Sequence, residues 1–181
     1  MNIPNKLTLL RVGLIPVFLI LYPPRILDGP LSQYAALSVF IIASLTDALD
    51  GHIARRRNLI TNFGKLMDPM ADKLLVGAAL IAMVQTAALP SWVVIIIISR
   101  EFLISGFRML ALERGIVIAA SSWGKFKTIS QMVMIILILL GFVPNIILWP
   151  VIAASVILTV ISAADYILKN INVMTEEDVV D

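Results

Sequence analysis

The chain has 181 residues, of which 60% are hydrophobic, and its mean hydropathy is +0.98. This composition is typical of a polytopic membrane protein and argues against a soluble domain. Cysteine is absent and histidine occurs once, so disulfides, thiolate chemistry and a multi-histidine metal site are excluded. The formal net charge is only +2. We expect no removable signal peptide, because no charged region with a following cleavage site opens the chain.

Six apolar segments follow one another, and each is close to the ~20 residues that a bilayer core requires. They cover residues 5–22, 31–49, 66–88, 91–112, 126–143 and 147–168. Turns rich in proline or glycine separate several of them. The first segment is the least apolar, and it spans only if Thr8 and Arg11 lie at the interface or face a wet cavity. The sequence therefore predicts an all-α fold, a single transmembrane domain over residues 1–181 with six transmembrane helices and a cytoplasm-facing polar cavity.

The positive charges predict the orientation. With a cytoplasmic N-terminus, nearly all of the fourteen Lys and Arg residues lie toward the inside. Arg100 is then intramembrane, and only Arg25 lies outside. A bias of this strength fixes the topology under the positive-inside rule. We expect a multi-pass protein of the cytoplasmic membrane whose site faces the cytoplasm, and membrane lipids as its surroundings.

Two pairs of carboxylates, Asp47 with Asp50 and Asp68 with Asp72, lie at the inner ends of the second and third segments. A charged side chain at mid-membrane costs about 2.5–3.5 kcal/mol, so a compensating positive charge is required. Divalent metal ions are the obvious candidates. Because the chain offers all-oxygen ligands, we predict Mg²⁺ or Mn²⁺, with two ions held by the four aspartates.

Helical geometry supports a shared site. At about 100° per residue, five residues fall within an arc of about 140°, in the angular order Asp50, Ala54, Asp47, Gly51 and Arg55. Asp68 and Asp72 are four residues apart and also share a face. His52 projects about 60° beyond the edge of that arc, which argues against a catalytic role.

The residues from Asp47 to Asp72 resemble the signature of the CDP-alcohol phosphotransferases, with the pattern D-x-x-D-G-x-x-A-R, eight residues, then G-x-x-x-D-x-x-x-D. Every fixed position of the pattern is filled. The resemblance implies an integral-membrane transferase, metal ligation by Asp47, Asp50, Asp68 and Asp72, and a homodimer. It also implies that Asp72 takes the proton from the acceptor hydroxyl, which attacks the donor's β-phosphorus and releases CMP.

Small residues on the carboxylate face predict contact with the nucleotide of the donor. Gly51 and Ala54 leave room there, and Gly64 lies one turn before Asp68. The alternative is close helix packing, which small residues at four-residue spacing also allow. The predicted donor-binding set is Asp50, Gly51, Ala54, Arg55, Gly64, Asn5 and Thr8. For Asn5, Thr8 and Arg11 an interfacial helix start is the competing interpretation.

A basic cluster further along the chain predicts the acceptor. Arg108, Lys125 and Lys127 outnumber nearby unpaired carboxylates, which favours a phosphate pocket beside the metals, to which Arg11 would contribute. Arg100 has the alternative of a structural ion pair with Glu101. The segments 99–108 and 124–128 resemble those of phosphatidylglycerophosphate synthases, as does the opening segment 2–11. The resemblance implies CDP-diacylglycerol as donor, glycerol 3-phosphate as acceptor, and a part in phosphatidylglycerol synthesis.

Other functions remain open at this point. Within the same family the acceptor is alternatively an inositol phosphate or serine. From a different class, a divalent-cation transporter would also place acids on membrane helices. Transporter sites lie near the midplane between inverted repeats or broken helices, whereas these acids lie at cytoplasmic helix ends. A purely structural subunit does not explain four carboxylates facing one cavity. We expect no nucleic-acid partner.

Overall fold

Every regular element in the described part of the chain is an α-helix. A computed structural model describes residues 3–23, 29–57, 62–113, 115–116, 118 and 121–171. The side chains of residues 3–6, 47–57 and 62–69 are not among those described. The helices are α1 (Ile3–Leu21), α2 (Pro30–Arg57), α3 (Asn62–Gln85), α4 (Ser91–Glu113), α5 (Ser122–Leu140) and α6 (Asn145–Lys169). The all-α prediction is confirmed, and each predicted segment corresponds to one helix.

Several helices begin or end at other residues than the apolar segments do. The helix α2 continues to Arg57, eight residues beyond the predicted end, and α3 begins at Asn62 instead of residue 66. An apolar run measures burial in lipid, whereas a helix continues as long as its backbone hydrogen bonds form. Alanine and arginine are good helix formers, so the basic residues 55–57 extend α2 and do not form the predicted connection.

Turn chemistry explains where α5 ends, before the predicted end at residue 143, and where α6 begins. The helix α5 ends at Leu140, before Gly141, which has a positive φ of 74°. Only glycine adopts this conformation without strain, and helices commonly end at such a residue. A Cβ at this position would also clash with the side chain of Gln33. Pro144 then precedes α6 with an extended backbone.

The chain divides into two compact units. The first comprises Met1–Pro90 with Ile135–Val143, and the second comprises Ser91–Met134 with Pro144–Asp181. The prediction of a single domain over residues 1–181 stays a prediction.

In the first unit α1, α2 and α3 pack against one another. The ring of Phe18 on α1 lies 6.1 Å from that of Phe40 on α2, and both side chains are completely buried. Tyr22, which follows α1, is bonded through its hydroxyl to the Thr86 Oγ1 after α3, at 2.8 Å. This bond and the aromatic core fix the relative position of the three helices, two of which carry the aspartate motif.

In the second unit α4 packs against α6, and polar bonds join α5 to α6. Ser155 Oγ donates to the carbonyl of Ser130 at 3.0 Å, and Gln131 Nε2 donates to Thr159 Oγ1 at 3.1 Å. Thr159 Oγ1 in turn donates to the carbonyl of Ser155 at 2.6 Å. Buried polar groups that are satisfied in this way fix one register between two otherwise apolar helices.

Two helices in the described part of the chain are long and apolar enough to cross a membrane, α5 with a hydropathy of 1.4 and α6 with 2.4. The helices α1 and α2 contain shorter apolar stretches, Leu7–Leu21 and Pro30–Thr46. In α4 the apolar sequence is interrupted by Arg100, Glu101 and Arg108. Large apolar side chains are exposed on several helices, among them Phe102 and Ile146. Such surfaces are typical of helices that contact lipid.

The hydrogen bonds between α5 and α6 generate a stability prediction. We expect Thr159→Val to lower the free energy of unfolding by about 1–3 kcal/mol, because it leaves the buried Gln131 amide without this bond. The double variant Thr159→Val/Gln131→Leu should be less destabilised than the sum of both single variants, since no polar partner is left behind. Unfolding in detergent provides the measurement, with the exposed Thr128→Val as control. Strict additivity would show that the bond does not contribute.

Candidate functional site

The four motif aspartates belong to two helices of the first unit that contact each other. Asp47 and Asp50 lie on α2, and Asp68 and Asp72 lie on α3. The predicted 140° arc requires a continuous helix from Asp47 to Arg55, and α2 is continuous over these residues. The side chains of Asp47, Asp50 and Asp68 lie outside the described residues, as do those of Gly51, Ala54, Arg55 and Gly64. The predicted ligand set therefore stays a prediction.

Asp72 is the motif aspartate whose side chain is described. It is half-buried and takes part in a polar interaction. Among the described side chains, no group of three or more His, Cys, Asp or Glu residues comes together. The side chains of the other three predicted ligands lie outside the described residues. The structure therefore places one member of the predicted metal site, Asp72.

The helix α1, which packs on both motif helices, carries two buried polar side chains. Thr8 and Arg11 are completely buried, and each takes part in a polar interaction. Both side chains are therefore covered by the protein and do not lie on the exposed surface of α1. A guanidinium is stable inside a protein only when it is paired or hydrogen-bonded. The side chain of Asn5 lies outside the described residues.

In the second unit, Glu101 is the centre of a group of charges. Its Oε1 accepts hydrogen bonds from Lys127 Nζ and from Arg100 Nη1, the latter at 3.3 Å. Lys127 is 5% exposed, and the Glu101 side chain is 19% exposed. The pair of Glu101 with Arg100, expected as an alternative, is present. Lys127 pairs with the same carboxylate, so of the three cations predicted to outnumber nearby unpaired carboxylates, Lys127 has a carboxylate partner.

Arg108 and Lys125 have a different environment, because both side chains are exposed. Arg108 Nε donates to the hydroxyl of Tyr166 at 3.0 Å, and the guanidinium carbon lies 5.4 Å from the centre of the tyrosine ring. Sequence reasoning missed Tyr166. Its signal was a tyrosine near the end of an apolar helix, but no spacing rule relates residues that are 58 positions apart.

A cavity of about 570 Å³ lies where α5 begins and α6 ends. Its lining is about equally polar and apolar and consists of Ile118, Ser121, Ser122, Trp123, Tyr166, Lys169 and Asn170. Lys169 Nζ is paired with Asp165 Oδ1 at 2.6 Å. Tyr166 thus contacts Arg108 and also borders a cavity large enough for a small polar molecule.

The chain matches the family model described as CDP-alcohol phosphatidyltransferase over residues 1–161. It belongs to this family. A CDP-diacylglycerol–glycerol-3-phosphate 3-phosphatidyltransferase of Bacillus subtilis is 44% identical, over 93% of this chain and 95% of the relative. The protein of that name from Rickettsia bellii is 39% identical, over 91% of this chain and 93% of the relative. A probable phosphatidylglycerophosphate synthase of Mycobacterium tuberculosis is 38% identical over 93% and 81%.

Membership in the family confirms the resemblance seen in the aspartate motif. The chain is therefore a transferase enzyme, and the two apolar helices of membrane-crossing length in its described part agree with the membrane-protein prediction. The family match covers all four motif aspartates and also Arg108, Lys125 and Lys127.

The charge group around Glu101 generates a second prediction. We expect Glu101→Ala to lower the free energy of unfolding by about 3 kcal/mol, because removing one partner of a buried ion pair leaves an uncompensated charge. Glu101→Ala/Lys127→Met should recover part of the loss. The matched control is Glu113→Ala, an exposed glutamate on the same helix. Equal melting temperatures for both alanine variants in detergent would contradict the prediction.

Proposed function

We propose that this protein transfers the phosphatidyl group of CDP-diacylglycerol to glycerol 3-phosphate, giving phosphatidylglycerophosphate and CMP. The observation that carries the proposal is the complete aspartate motif on two contacting helices, α2 and α3. The relatives named for this reaction, which align over more than nine-tenths of the chain, support the choice of donor and acceptor.

The residues of the motif fit a pair of Mg²⁺ or Mn²⁺ ions by their chemistry. Asp47, Asp50, Asp68 and Asp72 offer only carboxylate oxygens, which these hard ions prefer, and the chain has no cysteine. When bound, such ions stabilise the charge on the attacking and leaving oxygens of a phosphoryl displacement. The four aspartates are the proposed ligands of these ions. They lie on α2 and α3, which the core of the first unit keeps together.

The donor is bound by the same part of the chain. Gly51, Ala54 and Gly64 leave space for the nucleotide, and Arg55 supplies a positive charge for the pyrophosphate. Asp50, Asn5 and Thr8 complete the proposed donor set. Thr8 is completely buried on α1, which packs against both motif helices.

The proton of the acceptor hydroxyl goes to the carboxylate of Asp72. The acceptor oxygen then forms a bond to the donor phosphorus that carries the diacylglycerol. The bond from that phosphorus to the oxygen of CMP breaks, and CMP leaves with the bonding electrons. Asp72 is half-buried on α3 and takes part in a polar interaction.

The phosphate of the acceptor is bound by cations of α4 and α5. Arg108 and Lys125 are exposed and able to contact a phosphate directly. Lys127 and Arg11 are buried, and both take part in other interactions. We assign Lys127 to the same phosphate site, where Glu101 neutralises it in part, and the part of Arg11 in phosphate binding stays a prediction from the sequence.

The protein acts in the cytoplasmic membrane. In our proposal all six helices span the bilayer, the polar cavity faces the cytoplasm, where both substrates are supplied, and the enzyme is a homodimer. The positive-inside pattern of the sequence supports this orientation.

The proposed reaction is tested by the release of CMP from purified protein in mixed micelles. We predict that CDP-diacylglycerol with glycerol 3-phosphate gives CMP and phosphatidylglycerophosphate, that chelator abolishes the reaction, and that Mg²⁺ or Mn²⁺ restores it. Inositol phosphate and serine serve as the comparison acceptors. Faster turnover with either would overturn the choice of acceptor, and full turnover in chelator would overturn the metal site.

Two aspartates of the motif should respond differently to the same substitution. Asp47→Asn should weaken binding of metal and, with it, of CDP-diacylglycerol. Asp72→Asn should retain donor binding but lower the single-turnover rate of CMP release by about 10²–10⁴, the usual contribution of a general base. Glu113→Gln is the control carboxylate. If Asp72→Asn loses donor affinity as severely as Asp47→Asn, Asp72 is mainly a ligand, and near-normal turnover would place the base elsewhere.

A further inference from the structure

Tyr166 holds Arg108 through two different contacts. The hydroxyl of Tyr166 accepts a hydrogen bond from Arg108 Nε at 3.0 Å. The guanidinium carbon also lies 5.4 Å from the ring centre, within the range of a cation–π interaction. Tyr166 is on α6 and Arg108 is on α4, so the contacts join two helices that pack together in the second unit.

The tyrosine itself is held firmly. It is 2% exposed and belongs to a buried cluster with Ile104, Phe107 and Ala111. Its ring meets that of Phe107 edge-on, with 5.9 Å between centroids and an angle of 80°. The backbone carbonyl of Tyr166 accepts a hydrogen bond from Asn170 Nδ2 at 2.7 Å. A long arginine side chain therefore rests on a rigid support.

The contact with Tyr166 leaves the two terminal nitrogens of Arg108 available to bind a ligand. Nε is bonded to the tyrosine, and among the described residues no hydrogen bond to the two terminal nitrogens of Arg108 is found. Arg108 is exposed, so these nitrogens are accessible. A phosphate accepts two parallel hydrogen bonds from a guanidinium, and this bidentate pair depends on a fixed orientation of the fork.

We propose that Tyr166 is a positioning residue for the acceptor: it fixes Arg108 so that the terminal nitrogens bind the phosphate of a small polyol phosphate. The proposal rests on the function proposed above, in which Arg108 binds the acceptor phosphate. Tyr166 acts by preorganisation, because an arginine that is already held in the binding orientation loses less conformational freedom when the phosphate arrives.

The test begins with Tyr166→Phe, which keeps the ring and its packing and removes only the hydroxyl. We expect the KM for glycerol 3-phosphate to rise about tenfold, equivalent to about 1.4 kcal/mol. The KM for CDP-diacylglycerol should change less than about twofold, since the donor does not contact Arg108. Tyr34→Phe is the matched control, because Tyr34 is an exposed tyrosine of α2.

A double-mutant cycle separates positioning from a structural role. In the background of Arg108→Ala, Tyr166→Phe should have almost no further effect on kcat/KM for glycerol 3-phosphate, because the residue that it positions is gone. An equal effect in both backgrounds would overturn the proposal and assign Tyr166 to packing. If Arg108→Ala fails to fold, Arg108→Lys replaces it. Lysine lacks the Nε donor, so the same loss of effect is expected.

The outcome for Arg108→Ala alone distinguishes this proposal from the proposed function. If that variant leaves the KM for glycerol 3-phosphate unchanged, Arg108 does not bind the acceptor, and both proposals fail at this site. If Arg108→Ala raises the KM while Tyr166→Phe behaves like Tyr34→Phe, the acceptor site stands and the positioning role of Tyr166 is refuted.

Discussion

The free energy of burying charge is the constraint on which the rest of this structure depends. In a chain that is 60% hydrophobic, an ionised side chain inside the protein is stable only beside a partner of opposite charge or strong hydrogen bonds. Glu101 satisfies this condition through its pairs with Lys127 and Arg100. Buried uncharged groups need hydrogen-bond partners in the same way, and Ser155, Gln131 and Thr159 supply them to one another. The positions of the polar groups thereby determine how α4, α5 and α6 lie against one another within their unit.

The same constraint separates cations that look equivalent in the sequence. Lys125 and Lys127 are two residues apart, yet one is exposed and the other is buried against Glu101. A buried and paired lysine stabilises the contact between α4 and α5, and its charge is balanced in part before any ligand arrives, since Arg100 shares the Glu101 carboxylate. Arg108 is held through a tyrosine, which carries no charge, so its full positive charge remains for an anionic ligand. Burial and pairing therefore assign different roles to these side chains.

The sequence predicted what depends on local pattern. Six helices follow from the apolar segments, and the break at Pro144 follows from backbone chemistry, whereas the segment predicted over 126–143 ran past the true end of α5 at Leu140. The true end of α2 at Arg57 was missed because hydropathy does not measure helix propensity. Contacts between distant residues, such as Arg108 with Tyr166, were missed for a different reason. They depend on which faces of α4 and α6 meet, and a single sequence contains no direct signal for this.

The arrangement of charges also bears on how acceptors are distinguished. Glu101 neutralises Lys127 in part. Most of the uncompensated positive charge among the described cations of the predicted acceptor cluster therefore comes from Arg108 and Lys125. Such a cluster favours a phosphorylated alcohol over serine, which has no phosphate to bind. It does not distinguish glycerol 3-phosphate from an inositol phosphate, since both present the same group to an arginine. That distinction has to come from the space and hydrogen-bonding groups around the polyol. Substitutions in the phosphate-binding cations should therefore weaken the binding of both phosphorylated acceptors without changing which of the two binds more tightly.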